Sequence, residues 1–433
     1  MEFQKIKLHR SEKNRAAVTQ ITLDDDYNVP DYRQDIVKVI KERGELRFDE
    51  VKAMEGAAWI KGSLVFKVLY RSDKQEGKIS CLRGEIPFQE RLNMDGLSEY
   101  DAVHATGDME DLTIGVINSR KLNVRAVIVL TASSEKEVDE ELTCELSDGS
   151  SYEQNIVEKE ALKLLVVRRD ICRQKSEAVL PSSKPNIREI LWQSMQLRNV
   201  ESRLVEGNIR LSGEILVSIL YNDEEEGEHL SWYETTVPLD AQAECGVMED
   251  DCIWQVQMVP LTMELEVKPD YDGEERILVM ELALDTHIRI WKEEKIRLLT
   301  DLYSLQKEVK PVFRECPLER LLVKNAAKCR MTEQMELKED KEKVLQICSC
   351  EGKVLLERQE IKTDGVLAEG TVEVNILYIT PDDHMPVGAV QEIYPFSQLV
   401  EIPEMSAQAK VELDASLEQL SAVMLDQEHV EIR

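Results

Sequence analysis

Six histidines and nine cysteines carry the strongest latent chemistry in this chain, and their spacing decides what that chemistry could be. His9, His104, His229, His287, His384 and His429 form no H-x-x-x-H or H-E-x-x-H pair. A structural zinc needs four nitrogen or sulfur ligands converging tetrahedrally, and the spacing offers no such set. Among Cys81, Cys144, Cys172, Cys245, Cys252, Cys316, Cys329, Cys348 and Cys350, only the last two are close, at C-x-C rather than C-x-x-C spacing. Residues two apart on a strand share a face, so both thiols are expected to point inward as small core residues. A redox or intermolecular disulfide contact is the alternative. Scattered and odd in number, the cysteines fit reduced cytosolic thiols better than a disulfide framework.

Asp24-Asp25-Asp26 and Glu224-Glu225-Glu226 set carboxylates side by side. A calcium loop instead spaces its oxygens around a turn glycine, so both runs read as solvated turn tips. No G-x-x-x-x-G-K-[ST] phosphate cradle, G-x-G-x-x-G fingerprint or G-x-S-x-G elbow is present. The reading is therefore a non-enzyme without cofactor, with no catalytic, cofactor-binding or metal residue and with its binding residues unknown. Trp59, Trp192, Trp232, Trp254 and Trp291 could anchor a partner, and core packing is the simpler role for them.

The charge balance narrows the partners. Eighty-five acidic residues against 54 basic ones leave a net charge of −31, the wrong sign for neutralising nucleic-acid phosphates. No polybasic run offers itself to an anionic membrane, and no apolar stretch approaches the ~20 residues that cross a bilayer. The first fifteen residues are charged and hold no signal-peptide core. A basic protein partner would be steered by such a surface.

What positions any of these residues is a repeat. Residues 62–70 (GSLVFKVLY), 213–221 (GEILVSILY) and 370–378 (GTVEVNILY) share Gly-x-apolar-x-apolar-x-apolar-Leu-Tyr, at offsets of 151 and 308. Seventeen residues after each tyrosine stands a proline between apolar neighbours: Ile86-Pro87-Phe88, Val237-Pro238-Leu239 and Tyr394-Pro395-Phe396. The 308 offset also carries Gly44 onto Gly352 and Ile36 onto Val344, and Gln20-Ile21 before Leu23 resembles Gln334-Met335 before Leu337.

Alternation with period two makes the motif a half-buried antiparallel strand, with Leu64, Phe66, Val68 and Tyr70 facing inward. Lys67 and Ser63 face the other way, although Val65 and Leu69 share that side. Residues 71–77 and 222–227 read as hairpin turns. Residues 120–130 and 276–284 read as further strands. Gly62, Gly213 and Gly370 are expected at a bulge or a close backbone approach. A helix is expected over Pro317–Cys329, where Leu318, Leu321 and Leu322 share a face after a proline, and a linker over 135–151. The fold class is mainly β: tandem β-sandwich-like repeat domains with short helical connectors, at 1–137, 150–297 and 310–433.

The Gly-to-Tyr strand, the later Ile-Pro-Phe and Asn118-Ser119-Arg120 resemble the SPOCS domain of clostridial spore-coat proteins of the SipL type. The likeness is good in copies one and three and looser in copy two. The resemblance implies a structural scaffold of spore-coat morphogenesis, acting at the forespore surface from the mother-cell cytoplasm. It implies a basement-layer coat protein such as SpoIVA as partner, and peptidoglycan binding only through a C-terminal LysM domain. Arg433 falls on Arg125 at the 308 offset, so copy three is expected to be truncated within its final strand, with the LysM and much of the SpoIVA contact beyond it. The alternative function is a cell-wall or carbohydrate-binding β-domain array outside the cytoplasm.

Overall fold

Period-two alternation runs through most of this chain, and the computed structural model resolves it into eighteen strands, all paired antiparallel, with no helix among the described residues. The structure describes all residues except 1, 73–76, 148–151, 225–228, 248, 250, 307, 339–340, 404 and 407–408, and the side chains of 12–15.

One topology appears three times. In the first unit β1 (Phe3–Asn28), β6 (Lys121–Leu146) and β5 (Val103–Asn118) make a sheet in the order β1-β6-β5. Between them in sequence, β2 (Lys38–Met54), β3 (Ala57–Arg71) and β4 (Ile79–Asn93) make a second sheet, packed against the first. The second unit pairs β7 (Glu153–Val179), β12 (Glu275–Tyr303) and β11 (Cys252–Pro269) around the meander β8 (Ile187–Val205), β9 (Asn208–Asp223) and β10 (Leu230–Glu244). The third pairs β13 (Glu333–Glu336), β18 (His429–Ile432) and β17 (Ala422–Met424) around β14 (Gln346–Lys362), β15 (Gly365–Ile379) and β16 (Val387–Glu401).

The repeated strand is the centre of each meander, and its inward residues Phe66, Val217 and Val374 are all within 1% of full burial. Each motif glycine faces a bulge in the neighbouring strand. The register slips at Phe48/Glu50, Arg198/Glu201 and Leu356/Arg358, opposite Gly62, Gly213 and Gly370. A Cβ on Gly62 would lie 2.4 Å from the Arg47 carbonyl oxygen, and one on Gly370 would lie 2.1 Å from that of Leu355. The aromatic of Ile-Pro-Phe shares that space: Phe88 and Phe396 would meet the same added carbons at 2.8 and 2.9 Å. This couples the two halves of the motif. The prolines sit on the outer strands β4, β10 and β16, where a missing N–H costs no ladder bond. Gly370→Ala is therefore expected to destabilise by about 1–3 kcal/mol through overpacking against backbone. Urea unfolding of the variant checks this, and an unchanged midpoint would refute the contact.

The terminal tyrosines share one role. The hydroxyls of Tyr70, Tyr221 and Tyr378 donate to the carbonyls of Gln34, Pro185 and Glu342 at 3.2, 3.2 and 3.1 Å. Each bond ties the connection entering the meander to its central strand. Arg120 adds a second tie, donating to the carbonyls of Val29, Pro30 and Arg33, and Arg276 does the same for Leu180, Pro181 and Lys184.

Several expectations need correcting. Residues 135–146 are not a linker: β6 runs through them to Leu146, and β12 likewise passes 297 to end at Tyr303. Residues 317–329 form no helix but an extended strap, in which Pro317 accepts from Arg10 and Glu319 accepts from the Leu162 amide. Leu318, with Cys316, packs on Leu8, Leu142, Ala161 and Ile296, whereas Leu322 is exposed, so the three leucines share no buried face. Short helical connectors are thus absent from the described residues. Asp24, Asp25 and Asp26 lie within β1, bonded from Asn123 and Lys121, rather than at a turn tip. Gln334-Met335 does not match Gln20-Ile21; Met335 pairs with Val430 where Tyr27 pairs with Leu122, six residues out of that register. The two hairpins form as expected, although 73–76 and 225–228, and with them Glu225 and Glu226, lie outside the described residues.

Candidate functional site

The outward residue Leu69 was anomalous on a polar strand face, and its repeats explain it. Leu69, Leu220 and Leu377 are buried together in one cluster drawn from all three meanders. Around them the same repeat positions recur: Ile40, Leu191 and Cys348; Ile79, Leu230 and Val387; Cys81, Trp232 and Ala389. The three units thus share an apolar core about a pseudo-threefold arrangement. A second repeated bulge builds it, since the ladder skips Ile40, Leu191 and Cys348 in turn. That bulge overturns the shared-face expectation for the C-x-C pair: Cys348 enters the central cluster, whereas Cys350 enters the core of the third unit. Burial pushes each thiol up to about 12, so neither is a ready nucleophile.

Beside this core lies a buried charge cluster. Glu351 of β14 accepts from Lys41 and Arg43 of β2, each at 3.2 Å, and from the Trp192 indole at 3.4 Å. The Lys41 ammonium also stands 5.3 Å from the Trp192 ring centre. Burial opposes charge on Glu351, yet Lys41 and Arg43 together hold its carboxyl below the usual range. Groups from all three units therefore meet here: Lys41 and Arg43 from the first, Trp192 from the second and Glu351 from the third. Of the five tryptophans Trp192 alone is fully buried, while Trp254 lies under Lys324 of the strap and Trp291 beside Arg289.

A second polar cluster joins the long strands of the first two units. The rings of His104 and His287 lie 5.8 Å apart. His287 faces Glu135 at 3.4 Å, Arg289 reaches Glu135 at 3.8 Å and Glu412 at 2.9 Å, and Arg169 bridges His104 and Asp285. Burial is the main cause lowering both imidazoles, with Arg169 reinforcing it at His104 and Glu135 opposing it at His287. A histidine held below its unfolded value near 6.5 contributes full stability above that pH and loses it as pH falls toward the folded value. Unfolding midpoints are therefore expected to begin declining below about pH 6.5, and to do so less in His104→Gln. An identical decline in that variant would refute this.

Glu249, Asp251 and Cys252 also converge, with ligand atoms within 4.8 Å. Lys292 already pairs with both carboxylates, and burial raises the Cys252 thiol, so the group reads as an ion pair. The sequence motifs did not reveal the shared core or the two polar clusters around Glu351 and His287, because each joins residues from separate repeats.

Fold and clusters together define a class: an all-β tandem-repeat protein whose units are sealed to one another by a shared core. Residues 35–117 and 343–425 each match the family described as SipL, SPOCS domain, and the two matches stand at the 308-residue offset of the repeat. The chain thus contains two regions similar to the SPOCS domain, and they take in the first and third meanders. No curated protein sequence matches it.

Proposed function

We propose that this chain is a structural scaffold of spore-coat morphogenesis, a binding protein rather than an enzyme. It would act from the mother-cell cytoplasm at the forespore surface and bind a basement-layer coat protein of the SpoIVA kind. The observation that carries the reading is the pair of SPOCS matches at the repeat offset. The packing supports it: the internally repeated motif residues serve bulges, carbonyl ties and the shared core, as a scaffold requires. The chemically able groups described above are buried or ion-paired. The rival reading, a carbohydrate-binding array, would want a solvent-facing tryptophan platform, and none of the five tryptophans is exposed. A pull-down from sporulating cells with the full chain as bait is expected to enrich basement-layer coat protein. Recovery of no coat protein, with cell-wall polysaccharide bound instead, would overturn the proposal.

A further inference from the structure

The long strands of the first two units run on past the sheets they belong to. β5 pairs with β6 no further than Ser134, and β11 pairs with β12 no further than Lys292. Beyond those points β6 keeps β1 as its ladder partner and β12 keeps β7, so two two-stranded ribbons remain. They pack on each other through Leu8, Leu142, Ala161 and Ile296. Residues of all four strands line a cleft of about 510 Å³ between the ribbons, within the size range of small-molecule sites.

The chemistry of this cleft is unlike that of the chain as a whole. Ile6, Leu8 and Ile296 supply an apolar floor. Around it stand four cations, Lys7, Lys163, Lys295 and Arg297, against two carboxylates, Glu145 and Glu294. Lys163 pairs with Glu294 and Arg297 with Glu145, each at 3.4 Å, so both carboxylates are matched. Lys295 reaches only Glu158, outside the cleft, at 3.8 Å, and Lys7 has no ion-pair partner among the described residues. The lining thus carries an excess of positive charge in a chain whose net charge is −31. A bulge completes it. The β1–β6 ladder skips Cys144, whose half-buried thiol joins the lining.

We infer that this cleft binds a small amphipathic anion, an aliphatic or aromatic body that ends in a carboxylate or sulfonate. The body covers the apolar floor and removes it from water. The head takes charge-assisted bonds from Lys7 and Lys295, the two ammonium groups that no lining carboxylate holds. A cation of the same shape meets the excess positive charge and is rejected.

The probe is decanoate, titrated into the full chain by calorimetry, with decylammonium as the control of matched body and opposite charge. Decanoate is expected to bind saturably, and decylammonium is expected not to bind. Cys144 reports the place. Its alkylation by iodoacetamide, followed by mass spectrometry at mildly alkaline pH because burial raises this thiol, is expected to slow by about tenfold with decanoate at about ten times its Kd. Alkylation of the exposed Cys329, outside the cleft, is expected to stay unchanged. Lys7→Gln combined with Lys295→Gln is expected to weaken decanoate binding by about tenfold or more while the urea midpoint holds, since both side chains are exposed. Absent or non-saturable binding, equal binding of decylammonium, unchanged affinity in the double variant, or slowing at Cys144 and Cys329 alike would overturn the inference. Retention on phosphatidylglycerol vesicles with no affinity for decanoate in solution would assign the cations to a membrane surface and overturn it equally.

Discussion

Replacing Phe66 with Ala is expected to destabilise the protein by roughly 3–5 kcal/mol, the range for deleting a buried aromatic ring. The ring is fully buried, and Tyr27 of the opposing sheet meets it edge-on with centroids 5.1 Å apart. In register it stands between Gly44 and Gly84, and a Cβ on Gly84 would lie 2.2 Å from the ring. Glycine on each neighbouring strand thus makes room for the phenyl group. Val374 occupies the same place beside Gly352 and is a smaller group, so Val374→Ala should cost less. Equilibrium urea unfolding of both variants decides the matter. A loss below about 1 kcal/mol for Phe66→Ala would show that the cavity is filled by other means.

That central strand was legible because its determinants are local. Alternation, the motif glycine and the proline seventeen residues after the tyrosine all lie within one hairpin, and three copies in register removed ambiguity. The bulge opposite Gly62, Gly213 and Gly370 followed from glycine type alone. What stayed hidden was tertiary. Leu69 looked misplaced on a polar face until Leu220 and Leu377 were found against it. Cys348 and Cys350 share a face on a regular strand, and a single skipped residue sends them to different cores. The strap after Pro317 shows the opposite error: of the leucines at helical spacing only Leu318 joins the apolar cluster between β1, β6, β7 and β12, and Leu322 is exposed, so the spacing marks no buried helical face. Charge-rich 135–146 reads as a linker because many of its polar residues serve ion pairs: Glu140 with Arg10 of β1 and with Arg314, and Glu135 with His287 of the second unit.

The charge cluster beside the shared core should be the most pH-sensitive element at low pH. The repeat position of Glu351 is Arg43 in the first unit and Ser194 in the second, so symmetry is broken at one place into an acid, a base and a hydroxyl. That difference allows the first and third units to pair and denies the same contact to two like units. Glu351→Gln leaves Lys41, whose side chain is 6% exposed, without its counter-charge, and a loss of about 3–5 kcal/mol is expected. Replacing Glu351, Lys41 and Arg43 together by aliphatic residues of similar size should cost far less, since no orphaned charge remains. The sign of the pH effect follows from the lowered carboxyl. Above the unfolded value, about 4.3, the pair contributes in full; as pH falls through the depressed folded value the contribution disappears. This window lies below the one set by His104 and His287, so the two can be separated in a single series. Urea midpoints from about pH 6 down to about pH 3 should fall steeply at the acid end for the native chain and more gently for Glu351→Gln. Parallel curves for the two proteins would mean that Lys41 and Arg43 find other partners and that the units are not joined through Glu351.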